Sequence, residues 1–378
     1  VSVAARRSLC ALLALAPDAR EVNPAGFAGA ALVETRNQAG DLFARRTNRL
    51  LRKEAGKALA RPAVPEIQGS GRGRRSYNMC SRTFENIGLP HMPIVVAGAT
   101  GNVGRPAVSA LMAQGHSVRA LSRSEEKFAA LPRGASGAVA DMETGAGLDA
   151  ALDGVDQLFL ITANGETETA RGLNAVNAAR TAGARRIVFL SVQDPGEEPP
   201  IPHNRSKLPI EQAIRESGCE YTILRPGYFN QTDLSIVQAV REYGIYPMPI
   251  GSIGTNRVDT RDIADCAVRA LTEDGHAGTE YELYGPDTIS GPGAAAVYAR
   301  HFGREVRYGG DDIEKWAEPI KAFIAPWLLE SLKKMLLSMQ KNGPAADAAA
   351  VAASEEAVGH PLRTFDAFVA ELAATREA

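Results

Sequence analysis

The chain has 378 residues, is 45% hydrophobic and sets 42 Lys/Arg against 44 Asp/Glu, a formal net charge of −2. That is apolar material for about two ordinary domains, and the near-neutral balance gives no reason to expect a nucleic-acid partner. Cys10, Cys80, Cys219 and Cys266 form no CxxC pair and no His-linked spacing, so no metal and a reducing, cytoplasmic setting are expected; no apolar run reaches the ~18 residues of a membrane span.

Residues 1–91 carry a net charge of +8 and the remainder −10. Such asymmetry marks a tail joined to a globular body. Ala39 to Leu59 has helical periodicity, and Arg61 to Ser76 reads as a basic, Gly/Pro-punctuated linker. The basic, apolar Ala4 to Leu15 suits an organelle-targeting leader, but Asp18, Glu21, Glu34 and Asp41 are too acidic for a good one. Arg72, Arg74 and Arg75 read more readily as a solvated linker than as a binding arm. The preferred reading is an N-terminal extension, disordered or foreign to the native protein and without a part in catalysis. Met92-Pro-Ile-Val-Val opens a buried strand, a natural place for a domain to begin.

Ile94 to Ala97 is a short apolar run of the kind that forms a buried parallel strand. Gly98-Ala-Thr100-Gly101-Asn102-Val103-Gly104 follows, then a helical pattern from Pro106 to Gln114 and a second strand from Ser117 to Leu121. Strand, glycine turn, helix and strand within about thirty residues point to a dinucleotide site. The glycines let the backbone approach a pyrophosphate, and the first helical turn holds it with N–H groups. The spacing here is GxxGxxG rather than GxGxxG. Where an acidic residue would bind a ribose 2′-hydroxyl, the chain has Ser122-Arg123, with Lys127 one turn on. Those side chains suit a 2′-phosphate, so NADP(H) is preferred, with NAD(H) second.

Further strands are expected at Gly137–Ala140, Gln157–Thr162, Arg186–Ser191 and Tyr221–Arg225, and helices at Gly147–Leu152, Glu168–Thr181 and Pro209–Ser217. This alternation predicts an α/β fold with a doubly wound parallel sheet, the Rossmann arrangement. Its strand ends would line up Gly98–Gly104, Arg123, Asp141, Thr162–Asn164, Ser191 and Pro226–Asn230 on one rim. The dinucleotide domain is expected over 92–235, with 256–275 returning to it. A smaller, mainly helical substrate or partner domain takes 236–255 and 276–378. Its helices are expected at Ala294–Phe302, Ile313–Phe323, Pro326–Lys341 and Thr364–Ala373. Arg241–Asn256 is expected to lid the cofactor, and Asp262 to cap the helix Asp259–Leu271 or to bind across the domain boundary. Trp316, Phe323, Trp327, Leu328 and Met335 have helical spacing and read as core before pocket, with some facing the ligand cleft.

The segments V-V-A-G-A-T-G-N-V-G (95–104), A-L-S-R (120–123), F-L-S (189–191), H-N-R-S-K-L-P-I-E (203–211), L-R-P-G-Y-F-N-Q (224–231), V-D-T-R-D-I-A (258–264), Y-E-L-Y-G-P (281–286) and G-H-P-L-R-T-F (359–365) give the chain a family likeness. From about residue 92 onward it resembles the NmrA-like branch of the atypical short-chain dehydrogenases/reductases. The resemblance implies a Rossmann domain with a small C-terminal substrate domain. Some members are NAD(P)H-dependent reductases of quinones, azo compounds or related acceptors; others sense NADP(H) without turnover. It further implies that Lys207 contacts the nicotinamide ribose and that Pro226, Gly227, Tyr228 and Phe229 pass the carboxamide. Asp141 and Met142 would line the adenine, and Thr162, Ala163 and Asn164 the inner ribose and phosphates.

Short-chain reductases of the ordinary kind use a Tyr four residues before a Lys as proton relay. No Lys here has that Tyr; Lys207 has His203 instead. On a helix the two would share a face, and an imidazole could supply the proton. The opposing reading makes His203 an exposed loop residue beside Pro202, with the helix starting near Lys207. Ser191 could bond a substrate carbonyl or cap backbone. Hydride transfer to a quinone needs little protein acid, so the missing Tyr leaves a reductase open. The expected function is an NADPH-dependent reductase of a small quinone-, azo- or carbonyl-type acceptor. The alternative is a catalytically silent NADP(H) sensor that binds a protein partner.

Overall fold

The computed structural model describes residues 93–196, 200–343 and 346–375. The expectations placed on residues 1–91 lie outside the described residues.

Seven strands form one parallel sheet: β1 (Ile94–Ala97), β2 (Val118–Ser122), β3 (Ser136–Val139), β4 (Gln157–Leu160), β5 (Arg186–Leu190), β6 (Glu220–Pro226) and β9 (Thr279–Leu283), in the order β3-β2-β1-β4-β5-β6-β9. β1 pairs with β2 from Ile94 opposite Val118 and with β4 from Ile94 opposite Gln157. All four β1 residues are buried because helices cover both sides. Ile94 and Val96 point into one core, with α1 (Gly104–Ala113), α7 (Thr260–Thr272) and α11 (Ala348–Val358). Val95 and Ala97 point into the other, with α2 (Leu148–Leu152), α3 (Glu168–Thr181) and α5 (Leu208–Arg215). This is the period-2 alternation of a strand buried on both faces.

The expected doubly wound α/β fold is the observed one, and α3 has the expected bounds. β9 is a seventh strand that the apolar pattern did not announce. It pairs with β6 at the sheet edge, and only Leu283 of its five residues is fully buried. α1 begins at Gly104, two residues before Pro106, because the turn runs straight into the helix. Pro202 and Pro209 each start a helix, α4 (Pro202–Arg205) and α5, with Lys207 at the junction.

The remaining elements form a C-terminal layer: α6 (Val237–Tyr243), β7 (Ile245–Tyr246), β8 (Thr255–Asn256), β10 (Thr288–Ile289), α8 (Gly291–Phe302), β11 (Arg307–Tyr308), α9 (Ile313–Ala317), α10 (Pro326–Asn342) and α12 (Phe365–Ala374). Its core packs Tyr246, Tyr298, Leu336 and Phe365 together. The stretch Arg241–Asn256 is therefore built into this layer through Tyr246, Met248 and Ile250, and is not a free lid. The helix expected over Ile313–Phe323 ends at Ala317 and continues as turns. Asp259, not Asp262, caps α7 by accepting the Arg261 N–H. Asp262 instead accepts the Arg363 N–H at 2.9 Å and tethers the chain leading into α12. No helix among the described residues is long and apolar enough to cross a membrane.

Candidate active site

The strand order reverses between β1 and β4, which opens a crevice beyond their carboxyl ends. The glycine turn sits at that crevice. Gly98 has φ +75°, a left-handed conformation that a side chain disfavours. A Cβ on Gly104 would run into the Gly98 carbonyl oxygen and lie 2.8 Å from Ala99 Cα, so only glycine lets α1 start so close to β1. α1 has no side-chain cap at its N-terminus. Arg105 already gives its N–H to the Gly101 carbonyl at 3.0 Å and Pro106 has none, which leaves the N–H groups of Asn102, Val103 and Gly104, at the turn that begins Thr100-Gly101, for an anion. A cradle that a methyl group would fill, next to an uncapped helix start, fits a pyrophosphate.

β2 ends on this rim at Ser122. Ser122 Oγ accepts the Ser124 N–H at 3.3 Å and keeps its own proton for a further acceptor. Arg123 and Lys127 are both exposed just beyond. Asp141, past β3, turns its carboxylate onto the Glu143 N–H at 2.9 Å, while the Met142 carbonyl accepts from Asn174.

Beyond β4 the site becomes a buried polar network. Lys207 Nζ donates to Glu168 Oε1 at 2.7 Å, to Thr162 Oγ1 at 3.3 Å and to the Leu190 carbonyl at 3.4 Å. Thr162 donates to the same Glu168 oxygen at 2.7 Å, and Ser206 to the other at 2.7 Å. The three Lys207 protons thus all have protein acceptors. Ala163 uses its carbonyl for Arg171, and Asn164 faces the cavity described below.

Ser191 neither caps backbone nor stands free for a substrate. It is buried and donates to Glu211 Oε1 at 2.5 Å. Arg225 and Arg215 donate to the other Glu211 oxygen at 2.6 and 2.8 Å. Burial works to raise the Glu211 carboxyl, but the hydrogen bonds from Arg225 and Ser191 outweigh it and hold it below its ordinary value.

His203 is buried, contrary to the exposed-loop reading. Ser331 of α10 holds it twice: its Oγ accepts the His203 backbone N–H at 3.0 Å and lies 2.6 Å from Nδ1. With that backbone proton accepted, the hydroxyl has its own proton for Nδ1, an arrangement that leaves the ring proton on Nε2. Burial lowers the His203 pKa, helped by Lys207 and opposed by Glu168, so the ring is neutral near pH 7.

A cavity of about 720 Å³ opens here between the β5 and β6 ends and the C-terminal layer. Its walls include His203, Pro226, Gly227, Tyr228 and Phe229 on the sheet side. Trp316, Phe323 and Met335 line it from the other side, the members of the expected set that face the cleft, and Trp316 also belongs to the C-terminal core; Trp327 and Leu328 are not among the lining. The Pro226–Phe229 segment is held by a buried ion pair. Arg257 and Asp233, both wholly buried, pair at 2.8 Å, and Arg257 also donates to the Phe229 carbonyl at 3.1 Å. The Arg257 guanidinium stacks over Phe365 and Tyr228 at 4.4 and 5.1 Å.

Comparison with known proteins agrees with this layout. The NmrA-like family matches residues 90–368. The chain belongs to the NmrA-like family. An NAD(P)H azoreductase of Xenophilus azovorans is 33% identical over 277 residues, which span 73% of this chain and 96% of the relative. A (4-alkanoyl-5-oxo-2,5-dihydrofuran-3-yl)methyl phosphate reductase of Streptomyces griseus is 35% identical over 74% of this chain and 97% of its own length. The solved structure of an NADPH-dependent quinone oxidoreductase of Escherichia coli complexed with NADPH aligns with a TM-score of 0.64 at 28% identity, covering 74% of this chain and 99% of that one.

In this NmrA-like chain the site contains residues that no local pattern singled out. Glu168 looked like an ordinary acidic helix start. Glu211 follows Lys207 by four residues in the same motif, a spacing that could have marked it as a buried partner. Asp233 and Arg257 lie 24 residues apart and Ser331 lies 128 residues from His203, so only tertiary structure joins them.

Proposed function

We propose that the chain is an NADPH-dependent oxidoreductase that reduces a small quinone-, azo- or carbonyl-type acceptor. The observation that carries this reading is the cavity: a mainly apolar chamber walled by Pro226–Phe229 and His203, at the carboxyl ends of β5 and β6 in the same sheet whose β1 bears the dinucleotide cradle. The printed activities of the azoreductase and quinone oxidoreductase relatives support it.

Gly98, Gly101 and Gly104 would bring the backbone against the pyrophosphate, and Arg123, Ser122 and Lys127 would hold the 2′-phosphate. Pro226–Phe229, stiffened by Arg257, would set the nicotinamide end against the chamber. NADPH held there would supply the hydride. His203 Nε2–H, oriented by Ser331, would hydrogen-bond the acceptor atom that gains electrons, and the accompanying proton would come from water. Lys207 would act by shaping the ribose wall together with Thr162 and Glu168, since its protons already have acceptors. The mainly apolar lining would keep competing polar groups away from the transfer.

The test is oxidation of NADPH and NADH by the full chain across quinones, azo dyes and carbonyl compounds, with wild type and Arg123→Asp compared. NADPH is expected to be consumed with at least one acceptor and preferred over NADH, and Arg123→Asp to lower kcat/KM for NADPH by at least about tenfold while sparing NADH. Tight NADPH binding without oxidation by any acceptor would return the sensor reading and turn the search to a protein partner.

A further inference from the structure

Resting on the reductase reading, we infer that the acceptor is an uncharged or cationic multi-ring aromatic molecule, and that the chamber turns away acceptors bearing a phosphate, sulfonate or carboxylate. The argument is one of charge. Among the described residues that line the cavity there is no lysine and no arginine. The cations near its walls are already matched: Lys207 by Glu168 at 2.7 Å, Arg257 by Asp233 at 2.8 Å. An anion entering this chamber would shed water and find no positive partner, a strongly unfavourable transfer.

The one carboxylate in the lining is Asp194, at an exposed position. It has φ +42° and is the one non-glycine residue with positive φ among the described residues. Such a backbone is strained and persists where the surroundings hold it, often at ligand sites. Asp194 therefore puts a negative charge at the lining, which repels anions and attracts cations.

The floor is suited to ring systems. Trp316, Ile320, Phe323, Leu332, Met335 and Met339 present flat or adaptable apolar surface. The polar groups left over are neutral. Asn204 and Tyr228 both line the cavity, while the Asn204 Oδ1 and the Tyr228 hydroxyl are themselves buried from solvent. Burial keeps that hydroxyl protonated. Apart from Asp194, the polar side chains of the lining, Asn164, Gln193 and Thr232 among them, are uncharged and suit carbonyl, amino or azo edges better than a full charge.

The experiment is calorimetric titration of the NADPH-loaded full chain with three non-reducible probes: 2-naphthalenemethanol, naphthalene-2-sulfonate and a naphthyl trimethylammonium salt. The neutral and cationic probes are expected to bind at least about tenfold more tightly than the sulfonate, and Asp194→Asn to narrow the gap between cation and sulfonate. A sulfonate that binds as well as the neutral probe overturns the inference, as does failure of all three to bind. NADPH oxidation by the matching naphthoquinones is read separately. Binding in the expected order without turnover by any quinone would uphold the charge rule and overturn the reductase reading.

Discussion

Lys207 and Glu168 show what a single residue means at this site. The ammonium is 7% exposed and the carboxylate wholly buried, so each depends on the other. Removing one member of such a pair leaves an unpaired charge, at a cost of roughly 3–5 kcal/mol. Lys207→Met is expected to lower stability by about that much in urea unfolding, and adding Glu168→Gln to recover most of it. Unchanged unfolding of the single variant would mean that Glu168 does not rely on Lys207. The glycine turn was legible because its constraint is local: a positive φ at Gly98 and a missing Cβ at Gly104 concern neighbours a few residues away. The burial of His203 was not, because it depends on Ser331 of a distant helix.

Among the elements, α3 could be read from its pattern, whereas β9 could not. Its Glu280 and Glu282 alternate with less polar residues at a sheet edge, and they are spent on Arg215 and Arg225. The segment that leads into α12 is secured by a small charged latch. Arg363 bonds Asp262 and also Asp265 at 2.8 Å, and His360 Nε2 meets Asp265 at 3.0 Å. His360 Nδ1 faces the Pro361 carbonyl at 2.8 Å, so both ring nitrogens meet acceptors. Burial alone would lower the His360 pKa, but these two acceptors outweigh it, against Arg363, and raise it above 6.5. A raised folded-state value stabilises fully below 6.5, and that stability is lost as pH rises through the folded-state value. His360→Gln is thus expected to lower Tm relative to wild type more at about pH 5.5 than at about pH 8.5. An equal shift at both would contradict the latch. His203, whose pKa is lowered, works in the opposite sense, so wild type and variant are compared at each pH.

At the scale of the whole molecule, the alternation of apolar runs and amphipathic stretches announced the doubly wound sheet, and the sheet order put the glycine turn at its switch point. The chamber is a different kind of object. Its walls come from Asn164 through Asn342, and no stretch of chain carries its shape or the lack of lysine and arginine among its described lining residues. Trp316, Phe323 and Met335 read as core because helical spacing reports that a face is covered, not whether protein or ligand covers it. The central claim is that a reducing dinucleotide and an acceptor meet across this chamber. The most direct measurement mixes the preformed NADPH complex of the full chain rapidly with excess neutral naphthoquinone and follows the bound NADPH through a single turnover. Bound NADPH is expected to be oxidised one per site, far faster than without quinone; bound NADPH that stays reduced in the presence of quinone would contradict the claim.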